Sequence, residues 1–113
     1  LMLSLSDRLK SWQLIERRLS AASAADLVVV LYNPASRSRT TQVAAARELL
    51  LRHRSASVPV VVGREVGRPG EALQVTTLGE LDPASVDMRC LVIIGSSATS
   101  QVGDRVWTRR SMP

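Results

Sequence analysis

The sequence predicts an α/β domain with a mixed β-sheet flanked by helices, and three observations lead to that prediction. Apolar runs at residues 27–31, 59–62 and 91–94 are rich in β-branched side chains, as expected for strands buried on both faces. Segments rich in Ala, Leu and Glu lie before the first run and between the first two, and they favour helices. Aromatic residues make up only 3% of the chain, so Val, Leu, Ile and Ala must build the core, which suits parallel strands under Ala-rich helices.

The first half of the chain is predicted to alternate between strand and helix. Residues 1–5 form a short strand that a turn ends. Ser11 caps a helix that ends near residue 24, because apolar residues recur there at helical spacing. The strand at 27–31 stops at Pro34, since proline has no N–H to donate to a neighbouring strand. A second helix follows over residues 42–53.

The second half is predicted to contain mostly strands. In chain order the elements are strands at 59–62 and 72–77, a short helix that begins at Asp82-Pro83, a strand at 91–94, and a weak edge strand at 102–108 with Gly103-Asp104 as its turn. The 113 residues suit one domain. The order of elements therefore predicts a single domain over residues 1–113 with a mixed sheet.

The charge and composition of the chain argue against several classes of function. The net charge is +5, and 14 of the 15 basic residues are Arg. These arginines are scattered and have no interleaved aromatics, so a nucleic-acid binder rests on charge alone and is not expected. The single cysteine, Cys90, allows no internal disulfide and favours a cytoplasmic protein, and no apolar run is long enough to span a membrane. Cys90 and the single histidine, His53, are too few for a metal site.

Candidate ligand contacts lie where predicted strands end, because open α/β sheets bind ligands at the carboxyl ends of their strands. The best candidate is the turn Leu31-Tyr32-Asn33-Pro34. Further candidates are the loop at 63–70, the corner at 76–79 and the turn at 95–97. Taken alone, a turn at Asn33-Pro34 is more often structural than functional, and the loop lacks the glycine patterns of nucleotide sites. From these patterns alone, the sequence predicts only a ligand-binding α/β domain.

Five segments in register go further: SLSDRL at 4–9, ADLVVVLYNP at 25–34, GRPGE at 67–71, TTLGEL at 76–81 and VIIGSS at 92–97. Together they resemble the second domain of the precorrin-3B C17-methyltransferases, a group of the tetrapyrrole methylases of cobalamin biosynthesis. The resemblance extends from Ser4 to about Thr108. It implies that the chain is the C-terminal half of a two-domain enzyme whose N-terminal domain is absent, and that the enzyme commonly forms a homodimer.

The resemblance also implies an activity. The family transfers a methyl group from S-adenosylmethionine (SAM) to C17 of precorrin-3B, and ring contraction then gives precorrin-4. SAM is expected in the cleft between the two domains. The substrate carries many carboxylates, for which Arg37, Arg39 and Arg68 are the expected partners, with Arg64 as a further candidate. A sister methylase acting on another carbon, and a non-catalytic dimerisation or regulatory module of the same fold, remain alternatives.

The family's cofactor contacts correspond to three stretches of this chain. The first is Leu31, Tyr32 and Asn33, the second is Val66 and Gly67, and the third is Thr76, Thr77 and Leu78. The resemblance implies no catalytic residue. One departure stands out, since the family usually has Arg-Asn-Ala-Gly where this chain has Arg64-Glu65-Val66-Gly67. Glu65 therefore puts a carboxylate where the family has an amide.

Overall fold

Five strands form the main sheet of the computed structural model, which describes residues 1–5, 11–32, 41–103 and 105–108. The strands are β1 (Met2–Ser4), β2 (Val29–Tyr32), β3 (Pro59–Arg64), β4 (Ala72–Thr77) and β5 (Cys90–Ile94). They lie in the order β1-β2-β5-β3-β4. The predicted α/β class with a mixed sheet is confirmed.

The direction of the strands differs from the expectation of buried parallel strands. Only β1 and β2 run parallel, while β2–β5, β5–β3 and β3–β4 are antiparallel. The parallel expectation is wrong for the two pairs that β5 makes, because an apolar run reports burial and not direction. The cause is β5, which enters the sheet between β2 and β3 although it follows both in the chain.

Two helices, α1 (Trp12–Ala24) and α2 (Gln42–Leu51), pack against each other on one face of the sheet. Ser11 caps α1 as predicted, because its hydroxyl accepts the Leu14 N–H at 3.2 Å. One continuous core forms between helices and sheet. It contains Ile15, Leu19, Val43 and Leu50 from the helices and Val29, Leu31, Val60, Val62, Val92 and Ile94 from the strands.

The opposite face of the sheet carries alternate residues of the same strands and is partly exposed. Its central row, defined by the strand register, is Met2, Val30, Ile93, Val61 and Val75. We call this surface the open face. The row is entirely apolar, and Met2 is 67% exposed. No helix of the described residues is long and apolar enough to cross a membrane.

A separate hairpin follows the main sheet. It consists of β6 (Thr99–Val102) and β7 (Arg105–Thr108), which pair antiparallel. The predicted single edge strand at 102–108 is therefore two strands, and Gly103 takes a φ of +61° at the turn that was predicted there. The predicted short helix is a 3₁₀ turn, Pro83–Ser85, in which Asp82 accepts the Ala84 N–H at 3.0 Å.

A buried arginine joins the end of the sheet to both helices. Arg54 is 8% exposed and directly follows the last turn of α2. Its guanidinium donates to the carbonyl oxygens of Gly95 at 2.7 Å and Ala22 at 3.3 Å, and also to that of Leu27. These carbonyls belong to the end of β5, to α1 and to the approach to β2, so one side chain holds three parts of the chain together.

Candidate functional site

A cavity of about 540 Å³ lies at the end of the sheet where β2 and β3 finish and β5 begins. It brings together three residues that the sequence assigned to ligands, namely Tyr32, Val66 and Arg68. The remaining lining residues are Glu65, Met88, Arg89, Cys90 and Leu91. The described lining residues thus give the cavity apolar walls, two arginines and one carboxylate.

The antiparallel register explains why these residues meet. Leu31 of β2 and Val62 of β3 both pair with Val92 of β5, and Arg64 pairs with Cys90. The carboxyl ends of β2 and β3 therefore lie on either side of the amino end of β5. Arg89, which directly precedes β5, is placed at the cavity by this pairing.

Glu65 joins the two sides of the cavity. It has a φ of +53°, in the left-handed region that Gly and Asn tolerate best. Its backbone N–H donates to the Arg89 carbonyl oxygen at 3.2 Å. Its carboxylate forms ion pairs with Arg89 at 3.4 Å and with Arg68 at 3.8 Å. The carboxylate that departs from the family pattern is thus shared by two guanidinium groups.

Arg64 does not turn its charge toward the cavity. It forms an ion pair with Asp87 at 2.5 Å and donates to the Ser85 carbonyl oxygen at 3.1 Å. The Arg64 hydrogen bond holds the pKa of the Asp87 carboxyl below its usual value, and the same bond raises the pKa of Arg64. Asp87 also accepts the Arg89 N–H at 2.9 Å, so this pair fixes the backbone beside the cavity.

Cys90 is the one thiol at the cavity, and it is buried. Burial raises the pKa of the Cys90 thiol, so the protonated form is favoured. A thiolate is the nucleophilic form of cysteine. These observations favour a structural role for Cys90 in the wall of the cavity.

The third predicted stretch lies away from this cavity. Thr76 pairs with Val60, Val60 pairs with Ile94, and Ile94 pairs with Val29 of β2. Tyr32 lies three residues beyond Val29 on β2, and β2 is three strands away from β4. Standard strand spacings put Tyr32 and Thr76 roughly 17 Å apart. The structure therefore brings Tyr32, Val66, Gly67 and Arg68 together at one end of the sheet and leaves Thr76, Thr77 and Leu78 at the other.

Two of the predicted cofactor residues are enclosed. Leu31 is 1% exposed and Leu78 is 0% exposed. The Leu78 N–H donates to the Val58 carbonyl oxygen at 2.9 Å, and the Leu78 carbonyl oxygen accepts Arg47 Nε at 3.0 Å. Both residues support their neighbours and offer no open donor. Asn33, Arg37 and Arg39 lie outside the described residues.

Several residues at these places carry no sign of their contacts in the sequence. Arg89 and Met88 follow no strand, and only the β3–β5 pairing brings them to the cavity. Arg47 also donates to the Gly79 carbonyl oxygen at 2.6 Å, and a polar residue in a helical segment gives no sign of such a contact. Within the described part of the chain, no group of three or more His, Cys, Asp or Glu side chains is arranged to hold a metal.

Comparison with known proteins relates this geometry to a family. The family model "Tetrapyrrole (Corrin/Porphyrin) Methylases" matches residues 1–82. The cobalamin biosynthesis protein CobIJ of Mycobacterium tuberculosis (strain H37Rv) is 53% identical over 99% of this chain, which covers 24% of that protein. The precorrin-3B C(17)-methyltransferase of a Sinorhizobium species is 50% identical over 86% of this chain and 38% of its own length.

The fold has a close counterpart among solved structures. The crystal structure of the methyltransferase CobJ superposes with a TM-score of 0.90 at 34% identity. The match covers 96% of this chain and 46% of that chain. The chain thus spans less than half the length of each of these relatives.

Proposed function

Because the chain belongs to the tetrapyrrole methylases, we propose that it supplies part of the SAM site and part of the tetrapyrrole site of a methyltransferase of cobalamin biosynthesis. The proposed reaction is methylation of C17 of precorrin-3B with ring contraction to precorrin-4. The observation that carries the proposal is the convergence of Tyr32, Val66, Gly67 and Arg68 at one end of the sheet, with three of them lining the cavity.

The residues present fit a cofactor of this kind. Val66, Met88 and Leu91 give the cavity an apolar wall, and Arg68 and Arg89 give it cationic groups. SAM carries a short aliphatic chain beside its sulfonium and a carboxylate at the end of that chain, so both kinds of wall have a partner on the molecule. When bound, SAM supplies a methyl group already activated by its sulfonium charge.

The contribution expected from this chain is alignment and exclusion of water. An activated methyl group needs little acid or base help, so positioning dominates the rate. Tyr32 and Val66 would hold the reactants from one side of the cleft, and the Gly67 backbone permits close approach because it lacks a side chain. We assign no catalytic residue.

Thr77 offers one open backbone group for the third predicted contact. The Leu78 N–H donates to the Val58 carbonyl oxygen, so Leu78 and Val58 are a hydrogen-bonded pair at the end of the antiparallel β3–β4 ladder. Such pairs alternate along the ladder with pairs that are not hydrogen-bonded, so the neighbouring Thr77 N–H points away from β3, toward the outer edge of β4. Thr77 is therefore the residue of this stretch that we expect to contact a ligand directly, with Leu78 as its support.

A hybrid enzyme tests the proposal. This chain would replace the matching stretch of the Sinorhizobium protein, to which it is 50% identical. We expect the hybrid to bind S-adenosylhomocysteine by calorimetry and to methylate precorrin-3B. Val66→Arg, which fills the cavity, should abolish both, and the unaltered Sinorhizobium protein is the positive control. A folded hybrid that binds no S-adenosylhomocysteine would disprove the proposal.

Glu65 supports a second candidate, the non-catalytic module of the same fold. Its carboxylate lies on the cavity rim and neutralises part of the charge of Arg68 and Arg89. The variant Glu65→Asn restores the family's amide at this position. If Glu65 prevents cofactor binding, S-adenosylhomocysteine binds only to the hybrid that carries Glu65→Asn. If the hybrid binds equally with either residue, the module is rejected.

A further inference from the structure

We propose that Arg68 and Arg89, held apart by Glu65, form a binding site for a carboxylate group of a ligand in the 540 Å³ cavity. The inference rests on the proposed function and makes it more specific. It assigns a binding role to Arg89, which has no counterpart among the residues that the sequence singled out. It also removes Arg64 from the set of carboxylate partners.

Among the described residues, the charge balance at the cavity leaves one cation without a matching anion. Glu65 carries one negative charge, and two guanidinium groups approach it at 3.4 Å and 3.8 Å. These distances exceed a short hydrogen bond, and each guanidinium has five N–H donors. Within the part of the chain that the structure describes, most donors of Arg68 and Arg89 therefore have no other partner and can bind a second carboxylate, and the net charge of this trio is positive.

The backbone around Arg89 is fixed on both sides. Its N–H donates to Asp87 at 2.9 Å, and its carbonyl oxygen accepts the Glu65 N–H at 3.2 Å. Asp87 is fixed in turn by Arg64 at 2.5 Å. The Arg64–Asp87 pair thus builds the site, while Arg89 faces it. Because this backbone is already ordered, binding has to order only the Arg89 side chain, which is 72% exposed.

The walls specify what kind of molecule carries the carboxylate. Val66 is 49% exposed and Met88 is 68% exposed, and both line the cavity with Leu91 and Tyr32. Exposed apolar groups beside cationic groups suit a ligand with a broad apolar body and a carboxylate at its edge. In the proposed reaction the tetrapyrrole with its carboxylate side chains has this chemistry, and the amino-acid end of SAM is a second source of a carboxylate, on a short aliphatic chain.

Binding of two probes to this chain tests the inference. The probes are uroporphyrin I, a macrocycle with eight carboxylates, and S-adenosylhomocysteine. Affinity would be measured by porphyrin fluorescence and by calorimetry for wild type, Arg68→Ala, Arg89→Ala, Arg89→Lys and Arg52→Ala. Arg52 is an exposed arginine just beyond α2 and serves as the matched control. Circular dichroism checks that each variant is folded.

We expect Arg89→Ala and Arg68→Ala each to weaken one probe about tenfold, because a charge-assisted hydrogen bond is lost. Arg89→Lys should recover part of the loss, and Arg52→Ala should bind as wild type. Loss for uroporphyrin alone identifies a tetrapyrrole carboxylate, and loss for S-adenosylhomocysteine alone identifies the cofactor's.

Three results would overturn the carboxylate site. They are equal binding of both probes by wild type and Arg89→Ala, an equal loss in Arg52→Ala, and no binding of either probe by the wild-type chain. None of them decides the proposed function. That function is judged by methyl transfer in the hybrid enzyme, where Arg89→Ala can be made separately.

Discussion

Arg54 links three separate parts of the chain. Its guanidinium donates to three carbonyl oxygens from separate parts of the fold while the side chain is buried. We expect Arg54→Met to lower the free energy of unfolding by about 3 kcal/mol or more, because buried carbonyl groups lose their donors. Urea unfolding at 25 °C measures this change.

The matched control is Arg52→Met, two residues earlier and exposed. It should change stability by less than about 0.5 kcal/mol, as surface substitutions usually do. Equal stability of the two variants would mean that Arg54 contributes no more than a surface arginine.

Asp26 should make the free energy of unfolding depend on pH. Its carboxylate accepts the Ser97 N–H at 2.9 Å and also bonds the Ser97 hydroxyl. The hydrogen bond with the Ser97 hydroxyl, and to a smaller extent the one from the Ser97 N–H, lower the pKa of Asp26 in the folded state. A lowered folded pKa gives stability that is present above the ordinary pKa of about 4 and is lost as the pH falls through the folded pKa.

The variant Asp26→Asn removes this titration. We expect a smaller loss of urea-unfolding midpoint between pH 7 and pH 3 in Asp26→Asn than in wild type. Glu16→Gln, on the exposed side of α1, is the control and should lose as much as wild type. If the urea-unfolding midpoint of Asp26→Asn falls as much between pH 7 and pH 3 as that of wild type, the Asp26–Ser97 hydrogen bonds do not cause the pH dependence of stability.

These residue-level contacts show what the sequence could not predict. Arg54 and Arg89 look like two members of a scattered basic set, because nothing local distinguishes an arginine that binds distant carbonyls from one in solvent. Ser11, by contrast, was predicted as a cap because its partner is only three residues away. Local contacts can be read from sequence, and contacts across the fold cannot.

At the scale of elements, the turn that ends β4 is held very tightly. The Gly79 N–H donates to the Ala56 carbonyl oxygen at 2.8 Å. A Cβ at Gly79 would lie 2.8 Å from the Ala56 Cβ and 3.2 Å from that oxygen. Arg47 of α2 holds the same turn through the carbonyl oxygens of Leu78 and Gly79. We therefore expect Gly79→Ala to destabilise the chain by about 1–3 kcal/mol, as overpacking does.

The second substitution Ala56→Gly tests the cause of that loss. It removes the nearer clashing atom, so the double variant should regain part of the stability lost in Gly79→Ala. Urea unfolding of both single variants and the double variant gives the coupling. Additive effects would show that the two positions do not touch in solution.

The elements themselves were largely predictable, and their arrangement was not. Apolar runs and helical spacing located every strand of the main sheet and both helices. Pairing depends on which strands meet, and β5 joins β2 and β3 from a distant part of the sequence. For the same reason the predicted cofactor stretches fall into two groups at opposite ends of the sheet.

For the molecule as a whole, the open face predicts self-association of the isolated chain. Its central row is apolar, and Leu73 on the same face is 65% exposed. Broad exposed apolar patches mark contact surfaces. We expect sedimentation velocity to show dimers or larger species, in line with the homodimer that the family resemblance implies.

Leu73→Lys should shift the chain toward monomer, because it places a charge on the open face. Val102→Lys, an equally exposed position on the separate β6–β7 hairpin, is the matched control and should leave association unchanged. A wild-type chain that stays monomeric at high concentration would rule out association through this face.

The position of β5 has a consequence for how the chain folds as it is synthesised. β2 and β3 are not neighbours in the sheet, because the strand between them is made last of the five. The β3–β4 hairpin can pair as soon as it emerges, since its strands are close in sequence. The sheet as a whole cannot close until Cys90–Ile94 has left the ribosome. Until then the apolar edges of β2 and β3 are open to other chains, so this domain should depend on chaperones more than its small size suggests.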